Sequence, residues 1–281
     1  MTTAHSFSLR FWGVRGSLSC PGPDYTRYGG NTSCLEVRCG PHLLIFDGGS
    51  GLRPLGQHLM AQCSQQGPVT ADLFFTHTHL DHMVGVPFFA PLFQKDSDIR
   101  LWAGHLAPPL NLHDALCGMM VEPLFPVPPD VFVSNPSYRD FRAGETLQLH
   151  PGLQIRTTPL NHPNGATGYR IEWQGKSICY VTDCEHRIGQ HDQSIIDLIR
   201  GTEIFIYDST YTDDEFPAHT GWGHSTWQEG ARLAELAGVR TFVLFHHDPS
   251  HDDAMMDNIA REAEAHRPGT LVAQEGMILT P

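Results

Sequence analysis

A buried strand that runs straight into four metal-capable side chains leaves few places for itself in a fold. The stretch is Phe74-Phe75-Thr76-His77-Thr78-His79-Leu80-Asp81-His82, preceded by Ala71, Asp72 and Leu73. Its apolar run reads as a strand bounded by polar residues. His77 and His79 are two apart, so on an extended backbone both imidazoles project to the same side. The chain then turns, and Asp81 and His82 can aim at a second point a few Å away. That arrangement suits two adjacent cations better than one. With 18 histidines in the chain, a His-rich surface loop is the plain alternative. A strand end, however, is where open sheets place their sites.

Three further residues close apolar runs in the same way. His162 follows Thr158-Pro159-Leu160-Asn161, Asp183 follows Cys179-Tyr180-Val181-Thr182, and His246 follows Phe242-Val243-Leu244-Phe245. Any one alone reads more simply as a satisfied core or turn residue. Together with H-x-H-x-D-H they read as one constellation. His247 adjoins His246, but neighbouring strand residues face opposite sides, so only one can point inward. His246, directly after the strand, is favoured.

The order Asp47, then His77, His79, Asp81 and His82, then His162, Asp183 and His246 resembles the signature of the metallo-β-lactamase superfamily. The resemblance covers nearly the whole chain. It implies an α/β fold, a four-layer αββα sandwich, formed by residues 1–281 as a single domain. It also implies that His77, His79 and His162 hold one cation and that Asp81, His82 and His246 hold the other. Asp183 would bridge the two, and Asp47 would orient a ligand from behind. All-N/O ligation suits Zn²⁺, and mixed His and carboxylate ligands also admit Mn²⁺ or Fe²⁺. An Asp at the bridging position resembles the hydrolases of phosphodiesters and thioesters rather than the secreted β-lactamases. Cys184 beside it is expected to pack rather than ligate.

Asp208 in Ile206-Tyr207-Asp208-Ser209-Thr210 and His224 in Gly223-His224-Ser225-Thr226 resemble a pair found in the phosphodiesterase branch, which includes RNase Z. There a Glu and the His of an H-S-T motif cooperate; here Asp is one methylene shorter. A carboxylate-oriented imidazole makes an effective proton donor near neutral pH. Catalysis is therefore expected to fall to Asp81, His224 and Asp208. Phe11-Trp12-Gly13-Val14-Arg15-Gly16-Ser17 and Tyr28-Gly29-Gly30-Asn31-Thr32-Ser33 resemble bacterial cyclic-phosphate phosphodiesterases. On that resemblance Arg15 and Asn31 hold a substrate phosphate or sugar; read alone, the segment is a glycine-turned loop.

Taken in order, strands are expected at 8–12, 34–38, 43–46, 71–75 and 99–103, then at 146–149, 153–157, 167–173, 177–182, 203–207, 241–245 and 271–279. Helices are expected at 52–62, from about 83, at 111–121, 193–200, 225–237 and 252–266, the one after Ser225 opened by a Ser225-x-x-Gln228 capping box. Two groups of strands, each with helices, suggest two sheets face to face with helices outside. The proline-rich stretch within 105–140 is expected either as a lid beside the site or as a plain crossover.

The formal net charge of −13 argues against a long nucleic-acid partner, whose affinity comes mostly from Lys and Arg on phosphates. Residues 85–160 hold five Lys and Arg against seven Asp and Glu, a net of −2, the wrong sign for gripping tRNA. A small anionic substrate remains compatible, because bound cations dominate the local field. Seven cysteines without a C-x-x-C pair read as reduced thiols. The N-terminus lacks a basic region followed by an apolar core, and no apolar run approaches the ~20 residues of a membrane span. A cytoplasmic chain, able to form a homo-oligomer, is expected.

The first expectation for function is a dinuclear-metal hydrolase of a small cyclic phosphodiester, a cyclic nucleotide or phosphoribosyl cyclic phosphate, in which two cations arm a shared water. RNase Z-like tRNA 3′ processing is second. Glyoxalase II-type thioester hydrolysis is third, since it leaves Asp208 and His224 unused. A metal-bound sensor module is the non-enzymatic alternative, but its diiron relatives carry Glu where this chain has His79.

Overall fold

The computed structural model of the protein describes residues 6–106 and 108–281. The expectation of no leader concerns the first residues, and residues 1–5 lie outside the described ones. Among the described residues the chain forms two seven-stranded sheets. In the first, β1 (Phe7–Gly13), β2 (Cys34–Cys39) and β3 (His42–Phe46) are antiparallel neighbours, and β4 (Thr70–Phe75), β5 (Asp98–Ala103) and β6 (Ser137–Asp140) continue parallel to β3. The second repeats this mixture. β7 (Thr146–His150), β8 (Leu153–Leu160), β9 (Ala166–Trp173) and β10 (Lys176–Val181) run antiparallel, then β11 (Ile204–Asp208), β12 (Thr241–Phe245) and β13 (Leu271–Val272) run parallel to β10.

The expected last strand at 271–279 is two short strands. β13 closes the second sheet, and β14 (Ile278–Leu279) pairs with β1 at the edge of the first. A hydrophobic pattern cannot show that one apolar stretch serves two sheets, because both pieces bury alternate side chains in the same interior.

Helices cover the outer faces. On the first sheet lie α1 (Leu52–Gln66), the short α2 (Leu80–Met83) and α3 (Leu112–Met119); α4 (Gln193–Ile199), α5 (Trp227–Leu236) and α6 (Asp253–His266) lie on the second. Leu55 and Leu59 of α1 join Leu73 and Leu101 under the first sheet. Ile195, Leu233 and Ile259 join Phe205 and Phe242 under the second. Between the sheets a shared interior packs Phe46 and Phe74 against Tyr169, Tyr180 and Phe245. This is the four-layer αββα arrangement.

α5 begins one residue later than the predicted cap. Thr226, not Ser225, accepts the backbone N–H of Glu229. The Ser225 hydroxyl meets Tyr207 Oη and His186 Nδ1 instead. Both Ser-x-x-Gln and Thr-x-x-Glu fit the capping pattern, and tertiary contacts decide between them. No helix among the described residues is long and apolar enough to cross a membrane, and all seven cysteines are free thiols.

The parallel strands set the stage for the site. β3, β4, β10, β11 and β12 all end at one rim, delivering Asp47, His77, Asp183, Asp208 and His246 to it. The carboxyl rim of parallel strands is where such sheets hold ligands. Two phenols stitch the sheets together beneath it: Tyr180 donates to Asp47 Oδ2 at 2.8 Å, and Tyr169 to the Phe75 carbonyl at 2.5 Å.

Candidate metal centre and active site

All seven sequence-predicted ligands converge. His77, His79 and His162 offer nitrogens that lie within 4.8 Å of one another, and so do the donor atoms of Asp81, His82, Asp183 and His246. Asp183 stands between the groups. Its Oδ1 is 3.8 Å from His77 Nε2 and 3.9 Å from His162 Nε2, while its Oδ2 is 3.2 Å from His82 Nε2 and 3.3 Å from His246 Nε2. One carboxylate thus addresses both clusters, one oxygen each.

Hydrogen bonds behind the rings fix which nitrogen faces inward. His82 Nδ1 sits 2.9 Å from Asp47 Oδ2, leaving Nε2 to the cluster. Asp47 is saturated in turn by the Thr76 amide and hydroxyl and by Tyr180. Burial first, then Asp47, push the Tyr180 phenol well above its usual range, so it stays a donor. Thr76 Oγ1 can donate only once, to Asp47, and so accepts from His77 Nδ1 at 3.1 Å. Thr210 repeats the device, with Oγ1 2.7 Å from Asp208 Oδ1 and 3.0 Å from His246 Nδ1. His162 Nδ1 meets the Gly223 carbonyl at 2.8 Å.

The inward nitrogens lack ordinary partners. His77 Nε2 is buried with no hydrogen bond, and the His79 Nδ1–His162 Nε2 and His82 Nε2–His246 Nε2 pairs approach to 3.1 and 3.3 Å. Lone pairs turned toward one another around a carboxylate are what a cation relieves. Burial is also the main cause of the lowered pKa values of His77, His79 and His162, which keeps them neutral, the form that binds metal. The residues present therefore fit divalent cations.

His224 adjoins the centre. Its Nδ1 lies 3.1 Å from Asp208 Oδ2 and 3.8 Å from Asp183 Oδ1, and its ring stacks on His246 at 4.9 Å. Burial pulls the His224 pKa down, but the charge and hydrogen bond of Asp208, with Asp183 and Asp81, outweigh it and push it up to about 9. The shorter Asp side chain thus still reaches the imidazole.

His247 points away. Its Nε2 is 2.9 Å from the Ala273 carbonyl, and burial, then the Arg15 charge, drive its pKa down to about 3. Arg15 and Asn31, expected at the substrate, brace loops instead. Arg15 is fully buried and donates to the Gly29, Asp248 and His251 carbonyls. Asn31 donates to Glu275 and accepts from Ser50. Their loop still matters through its backbone: the Ser17 amide donates to Asp81 Oδ2 at 2.8 Å. A Cβ on Gly16 would lie 2.3 Å from His246 Nδ1.

Sequence reasoning missed Thr76, Thr210 and Tyr180, and also Glu185, whose Oε2 takes the Gly221 and Gly223 amides at 2.7 and 2.9 Å. Thr76 and Thr210 stood at strand ends beside predicted site residues, which was the available signal. Beside His77 and His79 opens a cavity of about 640 Å³ walled by His105, Leu106, Leu110 and Asn164. Residues 105–115 supply one side of it. The helix expected at 111–121 is α3, capped by Asn111; Ala107 lies outside the described residues.

The family profile described as beta-lactamase superfamily domain matches residues 43–247. A ribonuclease Z of Brevibacillus brevis is 29% identical over 146 residues, covering 50% of this chain and 42% of that protein. A ribonuclease BN of Escherichia coli O157:H7 is 27% identical over 141 residues, with coverage of 50% and 42%. The chain thus spans less than half the length of these curated relatives. Among solved structures, the metallo-β-lactamase fold protein YhfI from Bacillus subtilis superposes with TM-score 0.71 at 17% identity, covering 97% of this chain and 99% of that one. Human tRNase Z, short form, gives TM-score 0.68 at 20% identity with 97% and 98% coverage. A diphosphatase of the PhnP family gives 0.65 at 17%, with 97% and 96%.

Proposed function

This chain belongs to the beta-lactamase superfamily, and from that premise we propose that it is a dinuclear-metal-dependent phosphodiesterase of the cytoplasm acting on a small cyclic phosphodiester. One observation carries the reading: His224, gripped by Asp208 at 3.1 Å, stands 3.8 Å from the Asp183 oxygen that faces His77 and His162. A thioester hydrolase has no need of that proton donor, because a thiolate leaves unaided, whereas an alkoxide does not.

In this reading His77, His79 and His162 would hold one cation and Asp81, His82 and His246 the other, with Asp183 available to both; Zn²⁺ is favoured and Mn²⁺ or Fe²⁺ admitted. When bound, two divalent cations supply a nucleophile from water near neutral pH and neutralise phosphate charge. Asp47 holds His82 in the Nδ1–H tautomer. Asp208 likewise accepts the Nδ1–H of His224, and because the carboxylates raise that ring's pKa to about 9 it carries a second proton on Nε2, the one offered to the departing oxygen. Leu110, Asn111, Asp114 and Ala115 of the expected cap segment wall the cavity beside His79.

The names of the curated relatives favour a second reading, tRNA 3′ processing. The net charge of −13 and the acidic 85–160 segment weigh against it. The test is turnover of bis(p-nitrophenyl) phosphate, 2′,3′- and 3′,5′-cyclic nucleotides and precursor tRNA by metal-loaded protein, with elemental analysis of the same sample. His224→Ala is expected to lose roughly 10²–10⁴-fold in kcat with both cations retained. Unchanged turnover removes His224 from the chemistry, cleavage of precursor tRNA alone installs the second reading, and inactivity on every phosphodiester overturns both.

A further inference from the structure

The cations and the proton donor act on phosphate and oxygen; something else must hold the rest of the substrate. Trp222 is 63% exposed, the most exposed of the five tryptophans. A single exposed aromatic is ordinary, but its backbone is held with unusual care. The flanking Gly221 and Gly223 both take left-handed φ, +91° and +89°. Both of their amides donate to Glu185 Oε2. Trp222 N donates to the His219 carbonyl at 3.1 Å. The Gly223 carbonyl accepts from His162 Nδ1, and a Cβ on Gly223 would sit 2.4 Å from that nitrogen. The indole is thus displayed in solvent from a loop clamped to the metal centre.

Aromatic faces connect it to the proton donor. Trp222 meets His219 edge-on with centroids at 5.1 Å, His219 stacks on Tyr211 at 4.3 Å, and Tyr211 meets the His224 ring at 6.1 Å. We propose that Trp222, backed by His219 and Tyr211, is a stacking platform for the nucleobase of the substrate. The assignment rests on the phosphodiesterase reading, in which His224 protonates the sugar oxygen freed when the cyclic ester opens, so that the sugar and its base lie on this side. Every base offers a π face, so such a platform accepts bases with little preference. It adds no cation, in keeping with a substrate that carries one phosphodiester rather than a polyphosphate.

Two readouts test it on the metal-loaded protein. Adenosine 3′-monophosphate is expected to quench tryptophan fluorescence saturably, ribose 5-phosphate is not, and Trp222→Ala is expected to abolish the quench. In turnover, Trp222→Ala is expected to raise KM for 2′,3′-cyclic AMP roughly 10-fold with kcat within about 2-fold, and Trp222→Phe to restore most of KM. An absent quench, or one that persists in Trp222→Ala, overturns the platform even where hydrolysis continues, as does an unmoved KM. A quench that depends on Trp222 in a protein hydrolysing no phosphodiester keeps the platform and overturns the reaction.

Discussion

Thr210→Val isolates one hydroxyl between two site residues and nearly preserves side-chain shape. The Thr210 oxygen lies 2.7 Å from Asp208 Oδ1, 3.0 Å from His246 Nδ1 and 2.9 Å from the His246 carbonyl. Its one hydrogen goes to the nearest and only charged acceptor, Asp208, so its lone pair receives the His246 N–H. Valine removes both bonds at once. A hydrogen bond to a carboxylate is worth about 1.5–3 kcal/mol, and the buried imidazole N–H is left without an acceptor at about 1–3 kcal/mol more. Freed of its guide, His246 can turn its proton toward the cluster and withdraw the lone pair. Loss of such an orienting partner costs roughly 10–100-fold in metal affinity. Thr210→Val is therefore expected to bind one cation as tightly as wild type and the other 10–100-fold more weakly, by chelator competition with elemental analysis. Urea unfolding of the metal-free protein should show a loss of about 2.5–6 kcal/mol. Thr210→Ser, which keeps the hydroxyl, should recover the affinity. Two cations held at wild-type affinity by Thr210→Val would refute the reasoning, since His246 would then need no partner on Nδ1.

Gly16→Ala tests the other side of the same ring: a methyl 2.3 Å from His246 Nδ1 and 2.4 Å from Cε1 must displace the imidazole, so metal content is expected to fall toward one cation per chain while circular dichroism stays native. Phe74 is fully buried and stacks between Phe46 at 5.3 Å and Trp102 at 5.4 Å; Phe74→Ala is expected to cost about 3–5 kcal/mol in urea unfolding, and a loss under 1 kcal/mol would mean the inter-sheet core collapses around the gap.

Much of this could be read along the chain because the site is built from strand ends. An apolar run marks each strand, and the first metal-capable residue after it is the one delivered to the rim, so Asp183 and His246 were visible as endings. What could not be read depends on contacts between distant segments. Thr210 matters because it stands between Asp208 and His246, 36 residues apart in sequence from the latter. Glu185 matters because the amides it holds lie 36 and 38 residues on. Arg15 misled for the same reason. Its glycine-rich surroundings suggest a phosphate cradle, yet the carbonyls that absorb its guanidinium come from residues 29, 248 and 251. Residue 247 shows the opposite case, where local alternation alone separates it from His246.

Three of these strand ends share a property that ties conformation to chemistry. Asp47, Asp183 and His246 close β3, β10 and β12 with φ of +61°, +56° and +64°. For most side chains that left-handed turn costs about 1–2 kcal/mol, yet none of the three is glycine. Asp and His are among the residue types that enter this region most readily, and they are also the ones that carry charge or a lone pair. The turn swings the side chain off the alternating path of the strand, so a donor that would otherwise pack into the sheet faces the rim. The neighbours then hold it there: Tyr180 and Thr76 on Asp47, Thr182 on Asp183, Thr210 on His246. Glycine would relax the backbone and empty the site, and a β-branched residue would strain the turn and offer nothing in return. Those positions are therefore set by function, with the surrounding hydrogen bonds offsetting what the backbone gives up.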